Sequence, residues 1–352
     1  MLFSEALNSI KGLDEHAMKQ ARNRLDSLSK PLGSLGRLED IIAQIAGITG
    51  QVMPCVDKKT VVIMCSDNGV VDEGITQVGR DVTASVTKNF LNGITGINVL
   101  AKHAGADIMV VDMGIECHID CEGVLNKKIR CCTWNIAKGP AMTREEAIQA
   151  METGIEIIGE LKRQGTNLIG TGEMGIGNTT TSSAIATVLT GCDAQCMVGR
   201  GAGLSNDGLT KKLRVVKQAI DVNKPSPRDA VDVLTKLGGF DIAALTGCFI
   251  GAGVYRMPIL IDGFISATAA LTAIRICPAV KDFIFPSHGS AEPGTEKVMQ
   301  ALKMEPLLNL EMRLGEGTGA ALAFHIIDAA ITAYKQMGTF NDAAIEKYVP
   351  QS

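Results

Sequence analysis

The feature that most constrains this chain is a series of six short apolar runs, each bounded by glycine or acidic residues and most of them separated by helical segments. They cover residues 60–69 (TVVIMCSDNG), 106–114 (ADIMVVDMG), 166–177 (TNLIGTGEMGIG), 194–203 (AQCMVGRGAG), 257–263 (MPILIDG) and 282–290 (DFIFPSHGS). Each has β-branched or Met-rich content and about four to six core residues, as a buried strand has. Strand alternating with helix predicts a parallel sheet covered on both faces. Ligands of such sheets collect beyond the carboxyl ends of the strands, and the polar, Gly-rich tails of these runs lie at that end.

The remaining segments read as helix. Residues 1 to about 30 place Leu2, Ala6 and Ile10, and later Ala17, Ala21 and Leu25, near helical spacing. Pro31, Gly33 and Gly36 form a loop, and Leu38 to Ile48 resume the helical pattern. The stretch 319–337 is a strongly apolar helix, and 341–352 is a short polar end. Hydrophobic residues make up 46% of the 352 and aromatics only 4%, so the core rests on Ala, Ile, Leu, Val and Met. This length suits one large α/β domain plus a smaller unit.

A formal net charge of −4 argues against a nucleic-acid or bilayer partner. The first residues are charged too early for a signal peptide, and no run of about 18 apolar residues marks a membrane span. The ten cysteines form no obvious secreted framework, so a reduced, cytoplasmic protein is expected. Cys117, His118, Cys121, Cys131 and Cys132 are irregularly spaced, as packing or surface thiols are, and do not match a metal site.

Four Gly-rich motifs carry the chemistry. In GTGEMGIGNTT (170–180) a predicted strand opens into a helix, where free backbone N–H groups attract phosphate or carboxylate. Gly175 and Gly177 let the backbone approach a ligand, and Glu173, set among glycines, serves little structural purpose; the alternative is a tight turn without a ligand. The loop Gly199–Leu204, with Arg200 and Gly201, precedes Lys211 and Lys212, which can neutralise a phosphate or form a solvated helix face. Residues 287–294 (SHGSAEPG) offer hydroxyl and backbone contacts to phosphate, or a plain turn; neighbouring Ser and His make a poor nucleophilic triad. In RLGEGTGAAL (313–322) the carboxylate of Glu316 lies between glycines just before an apolar helix, and near dry walls its pKa would rise, as a general base requires; the alternative is that Thr318 caps the helix and Glu316 sits in solvent.

Together with PLGSLGRLE, SDNGVVDEGIT and DGFISATAAL, these segments resemble the nicotinate-nucleotide:dimethylbenzimidazole phosphoribosyltransferase family, in the family's order from about residue 30 to residue 325. The resemblance implies a Rossmann-like parallel sheet as a large domain over 31–324, and a small helical domain from both chain ends, 1–30 with 325–352. It implies a homodimer whose partner subunit helps to enclose the site; a heterodimer with a paralogue activating phenolic bases is the alternative. It implies transfer of the phosphoribosyl group of nicotinate mononucleotide to an aromatic base, in assembly of the cobamide nucleotide loop.

By resemblance Glu316 matches the general base. Glu173, Gly175, Gly201, Lys212 and Ser290 match positions around the nucleotide and its phosphate, and Asp262 is a further polar contact. Glu173 is also expected to steady positive charge at C1′. The departing pyridine is neutral, so no metal or other cofactor is expected. The stretch 66–86 should line the base pocket, with Arg80 and Asp81 facing solvent or tuning the base. The competing readings are a dinucleotide-binding oxidoreductase, which lacks its acidic ribose partner about 20 residues on, and a non-catalytic subunit, which the presence of both glutamates opposes.

Overall fold

The computed structural model describes residues 1–201 and 203–346. The N-terminal segment is two helices, α1 (Phe3–Ser9) and α2 (Glu15–Ser27), followed by α3 (Arg37–Thr49). The single helix expected over 1–30 is interrupted at Ile10 to Asp14, where the Asp14 carboxylate accepts from the Ala17 N–H and starts α2 afresh. A side-chain oxygen at that position satisfies a donor the helix cannot, so the chain gains by breaking there.

The sheet begins with β1 (Lys59–Ser66), buried along its whole length, as a central strand covered on both faces should be. After it come α4 (Asp81–Leu91), α5 (Gly96–His103), β2 (Ala106–Gly114), β3 (Val124–Asn126), α6 (Arg144–Arg163) and β4 (Leu168–Met174). The chain continues through α7 (Asn178–Thr190), α8 (Ala194–Met197), α9 (Asn206–Asn223), α10 (Ala230–Leu237) and α11 (Phe240–Tyr255). It closes with β5 (Ile259–Ile261), α12 (Phe264–Ile276), β6 (Ile284–Pro286), α13 (Gly294–Leu302) and α14 (Thr318–Gln336). The six strands lie in the order β3-β2-β1-β4-β5-β6, all pairs parallel. Order reverses beside β1, where a doubly wound sheet leaves a crevice at its carboxyl edge.

Two strand expectations change. Among the described residues, the run expected as a strand over 194–203 contributes none: Asp193 caps α8 by accepting from the Gln195 N–H, and residues 198–201 follow as a loop. The place beside β4 belongs to β5, with Ile169 opposite Ile259. The edge strand β3, three residues long, is too short to show a periodicity.

α11 is apolar nearly all round and almost wholly buried, which places it inside the protein rather than on its surface. It crosses α6 at Gly154 and Gly247: a Cβ on either would strike the opposite helix's backbone, at Ala244 and Met151. The chain ends meet. Arg24 donates to the Tyr334 carbonyl, the Ser29 N–H to Gly338 and the Phe340 N–H to Ser27. Among the described residues no helix is long and apolar enough to cross a membrane. The polar end from residue 347 lies outside the described residues, as does Ala202 of the second glycine loop.

Candidate active site

Beyond the carboxyl ends of β4, β5 and β6 lies a cavity of about 550 Å³. Glu173, the penultimate residue of β4, is buried there. Its carboxylate accepts from Asn178 Nδ2, which also donates to Asp241 Oδ2 at 3.0 Å. Burial first, then the charge of Asp241, push Glu173 up to about 8, and burial raises Asp241 to about 7. The pair therefore keeps a proton near neutrality, where ordinary carboxylates have none.

Glu316 occupies the left-handed region at φ 62°, between Gly315 at 82° and Gly317 at 94°. A non-glycine residue there costs conformational energy, and the surroundings hold it in place. Gly172 of β4 packs beneath, where a Cβ would strike the Glu316 carbonyl, so this glycine lets the loop lie on the strand. The Ile97 N–H, in the first turn of α5, donates to Glu316 Oε2 at 3.3 Å. Burial raises the pKa of Glu316, while that N–H opposes the shift.

Asp262, just after β5, accepts from the N–H groups of Gly317 (3.1 Å), Gly319 (2.7 Å) and Ala320 (3.3 Å). Its carboxylate thus holds the start of α14 and with it the Glu316 loop. His288 Nε2 stands 3.9 Å from Asp262 Oδ1. Asp262 is fully buried and its pKa is raised by desolvation, against the opposing influence of His288 and these N–H groups.

Another part of the wall is built for an anion. Lys212 of α9 is 1% exposed, and its Nζ donates to Thr179 Oγ1 at 2.7 Å. Burial lowers the ammonium to about 8, with Glu292 pulling the other way. Gly201, at φ 49°, lies against both Thr179 and Lys212. The N-terminus of α7 opens beside them after Gly177 at φ 95°, and Gly175 is fixed as glycine by the Ser66 carbonyl. Ser290 lines the same cavity. A lysine, hydroxyls and a helix N-terminus together favour phosphate.

The sequence pattern of the phosphoribosyltransferase family matches residues 10–345. The chain belongs to the nicotinate-nucleotide–dimethylbenzimidazole phosphoribosyltransferase family. It is 65% identical over 350 residues to the enzyme of that name from Ruminiclostridium cellulolyticum, covering 99% of both chains. With the enzyme of that name from Acetivibrio thermocellus it shares 66% over 351 residues, covering 100% of each. The crystal structure of CobT from Thermus thermophilus is similar at TM-score 0.89 and 36% identity, covering 95% of this chain and 100% of that one.

In this phosphoribosyltransferase chain the fold brings all eight sequence-named residues, Glu173, Gly175, Gly177, Gly201, Lys212, Asp262, Ser290 and Glu316, to one cavity. Asn178, Thr179, His288 and Glu292 join them from motifs already noted for their glycines and hydroxyls. Asp241 stands behind Glu173, and its only trace in the sequence is a lone acid opening an apolar helix. The segment Ile75–Val78 lines the cavity, and Gln77 reaches across to the Gly203 carbonyl at 2.6 Å. Arg80 instead pairs with Asp72 at 2.6 Å and Glu116 at 3.2 Å. Among the described residues, no three His, Cys, Asp or Glu side chains are grouped to hold a metal ion.

Proposed function

We infer that this enzyme transfers the 5-phosphoribosyl group of nicotinate mononucleotide to an aromatic base of the dimethylbenzimidazole kind, releasing nicotinate, in assembly of the cobamide nucleotide loop. One observation carries the reading: a single cavity holds an anion-binding wall and, in the loop before α14, a carboxylate whose proton affinity burial has raised. Lys212, Thr179, Ser290 and the α7 N-terminus would receive the phosphate. Glu316 would take the N–H proton of the base while its other ring nitrogen attacks C1′. Attack opposite the departing pyridine inverts C1′ and gives an α-linked ribotide. The pyridinium nitrogen leaves C1′ as a neutral ring nitrogen, so no new anionic centre forms at the departing atom. Glu173, beside the Glu316 loop at Gly315, would steady the positive charge that develops at C1′.

Asp262 serves this site by holding the Glu316 loop, a better fit to its three backbone donors than direct contact with substrate. The chain ends, joined through Arg24, Ser29 and Phe340, would form the small helical unit. A homodimer is the favoured assembly, because Leu314, Ile94 and Val99 are exposed on or beside the elements that carry Glu316 and its Ile97 donor. The test is product identification: incubate the purified chain with nicotinate mononucleotide and a panel of benzimidazoles, adenine and phenols. An α-ribotide and stoichiometric nicotinate are expected with at least one benzimidazole. If no base yields a ribotide, the reading fails.

A further inference from the structure

The mechanism above leaves a buried polar group unexplained. Asp241, in the first turn of α11, is fully buried, and its Oδ1 has no hydrogen-bond partner. Asn68 is also fully buried, and its Oδ1 likewise has none. The two orphan oxygens converge: a Cβ on Gly239 would touch both. Buried oxygens without a donor are rare, because leaving one unpaired costs the full desolvation of the group. Turning the Asn68 amide over is no remedy, since its Nδ2 faces the carbonyls of Ser66 and Ile176, each at 3.4 Å. The donors of Asn178 are also committed, one to Glu173 Oε2 and the other to Asp241 Oδ2. What the geometry lacks is one hydrogen between Asp241 Oδ1 and Asn68 Oδ1.

We propose that Asp241 is a positioning residue for the phosphoribosyl transfer: it carries a proton on Oδ1, donates it to Asn68 Oδ1, and through Asn178 holds Glu173 as the charged carboxylate facing the cavity. The charged surroundings favour one proton between the two carboxyls. Glu173 faces Asp241 across Asn178 from β4, Asp67 faces it from the loop after β1, and the Cys65 thiol lies at the end of β1. Arg80 and Glu116 stand behind Asp67, and the Arg130 guanidinium lies 5.5 Å from the centre of the neighbouring Phe240 ring. α6 meets α11 through Met151 and Gly154, and α12 through the Ala269 carbonyl, none of them charged. Two carboxylates bridged by one amide repel each other, so the first proton is held tightly. Burial raises both carboxyls to neighbouring values, and the partner atoms decide where the proton sits. Each carboxyl receives one hydrogen from Asn178. The other oxygen of Asp241 faces an acceptor, Asn68 Oδ1, and is not reached by the nearby N–H groups of Asp241 and Ile242, whereas the other oxygen of Glu173 lies beside Gly315 at the cavity.

The kinetic part of the test rests on the transfer reading, whereas the spectroscopic part does not. Infrared spectra of the whole enzyme at neutral pH should show a protonated-carboxyl stretch that Asp241→Asn removes and Glu173→Gln leaves in place. A band removed by Glu173→Gln and kept in Asp241→Asn, or no band at all, would overturn the assignment and leave a trapped water as the link. In turnover, Asp241→Ala should lower kcat about tenfold, with KM for the mononucleotide changed less than about twofold, as loss of a buried hydrogen-bond link implies. Asp241→Asn reproduces the acceptor and donor of the neutral acid and should restore most of that loss. An Asp241→Asn enzyme as slow as Asp241→Ala would show that the charge, not the hydrogen-bond pattern, is needed. If the native enzyme itself transferred nothing, the transfer reading would fall while the infrared result still located the proton.

Discussion

Glu316 is the group whose chemistry can be tested most directly. Glu316→Gln keeps the size and the Ile97 contact but cannot take a proton, so kcat should fall about 10²–10⁴-fold while mononucleotide binding is largely spared; steady-state and single-turnover rates would check this, and unchanged turnover would remove it as the base. Because burial raises its pKa, the acid limb of kcat/KM should lie above the ordinary carboxylate range. The sign is that of a base: activity rises with pH as Glu316 loses its proton. Lys212 acts in the opposite sense. Its ammonium, lowered to about 8, is lost as pH rises through that value, so affinity for the mononucleotide should weaken there. Lys212→Ala should raise KM for the mononucleotide and remove that pH dependence; a loss confined to base affinity would contradict a phosphate role. Lys212 was set apart from Lys211 by the family resemblance, whereas Glu316 stood out in the sequence because a carboxylate between glycines signals close approach to a ligand. Asp241 did not, since its partners Asn178 and Asn68 come from segments distant in the chain and only the fold joins them.

The helices matter through their ends. α14 starts from a loop with three successive positive φ angles, and Asp262 accepts from three N–H groups at that start. Asp262→Ala would leave buried donors unpaired and should cost about 1–3 kcal/mol of stability. The same change frees the Glu316 loop, so kcat should fall together with the melting temperature. Calorimetry alongside turnover checks both, and a fully active variant with lowered stability would separate the loop from catalysis. Strand-to-helix alternation was legible where runs were long, as in β1, β2 and β4. It misled at 194–203, where an apolar run too short to choose between helix and strand was decided by the Asp193 cap. It was silent at β3, whose existence depends on pairing with β2 rather than on local pattern.

The buried carboxyls and the exposed apolar edge act on the protein as a whole. Glu173 is raised from 4.5 to about 8 and Asp241 from 3.8 to about 7, so between those limits the native state binds protons that the unfolded chain has released. Stability therefore declines as pH rises through this window, and Asp241→Asn, which removes the carboxyl that carries the proton, should flatten the decline between about pH 4 and about pH 7 in thermal melts. The apolar edge makes a separate claim. Leu314, 59% exposed, lies against Gly96, with Ile94 at 68% just before and Val99 at 62% just after in the chain. These side chains belong to the two segments that hold Glu316, one through its own backbone and the other through the Ile97 N–H. Water at this edge would compete for the Glu316 carboxylate, so a second subunit covering it would both bury apolar surface and dry the base. Leu314→Glu combined with Val99→Glu should therefore yield a monomer by sedimentation. Its mononucleotide affinity should persist, because Lys212 and the α7 N-terminus lie on other elements, while its kcat falls. A double variant that sediments as a dimer with full activity would place the interface elsewhere. A monomer with undiminished kcat would show that a single chain keeps Glu316 dry enough to work.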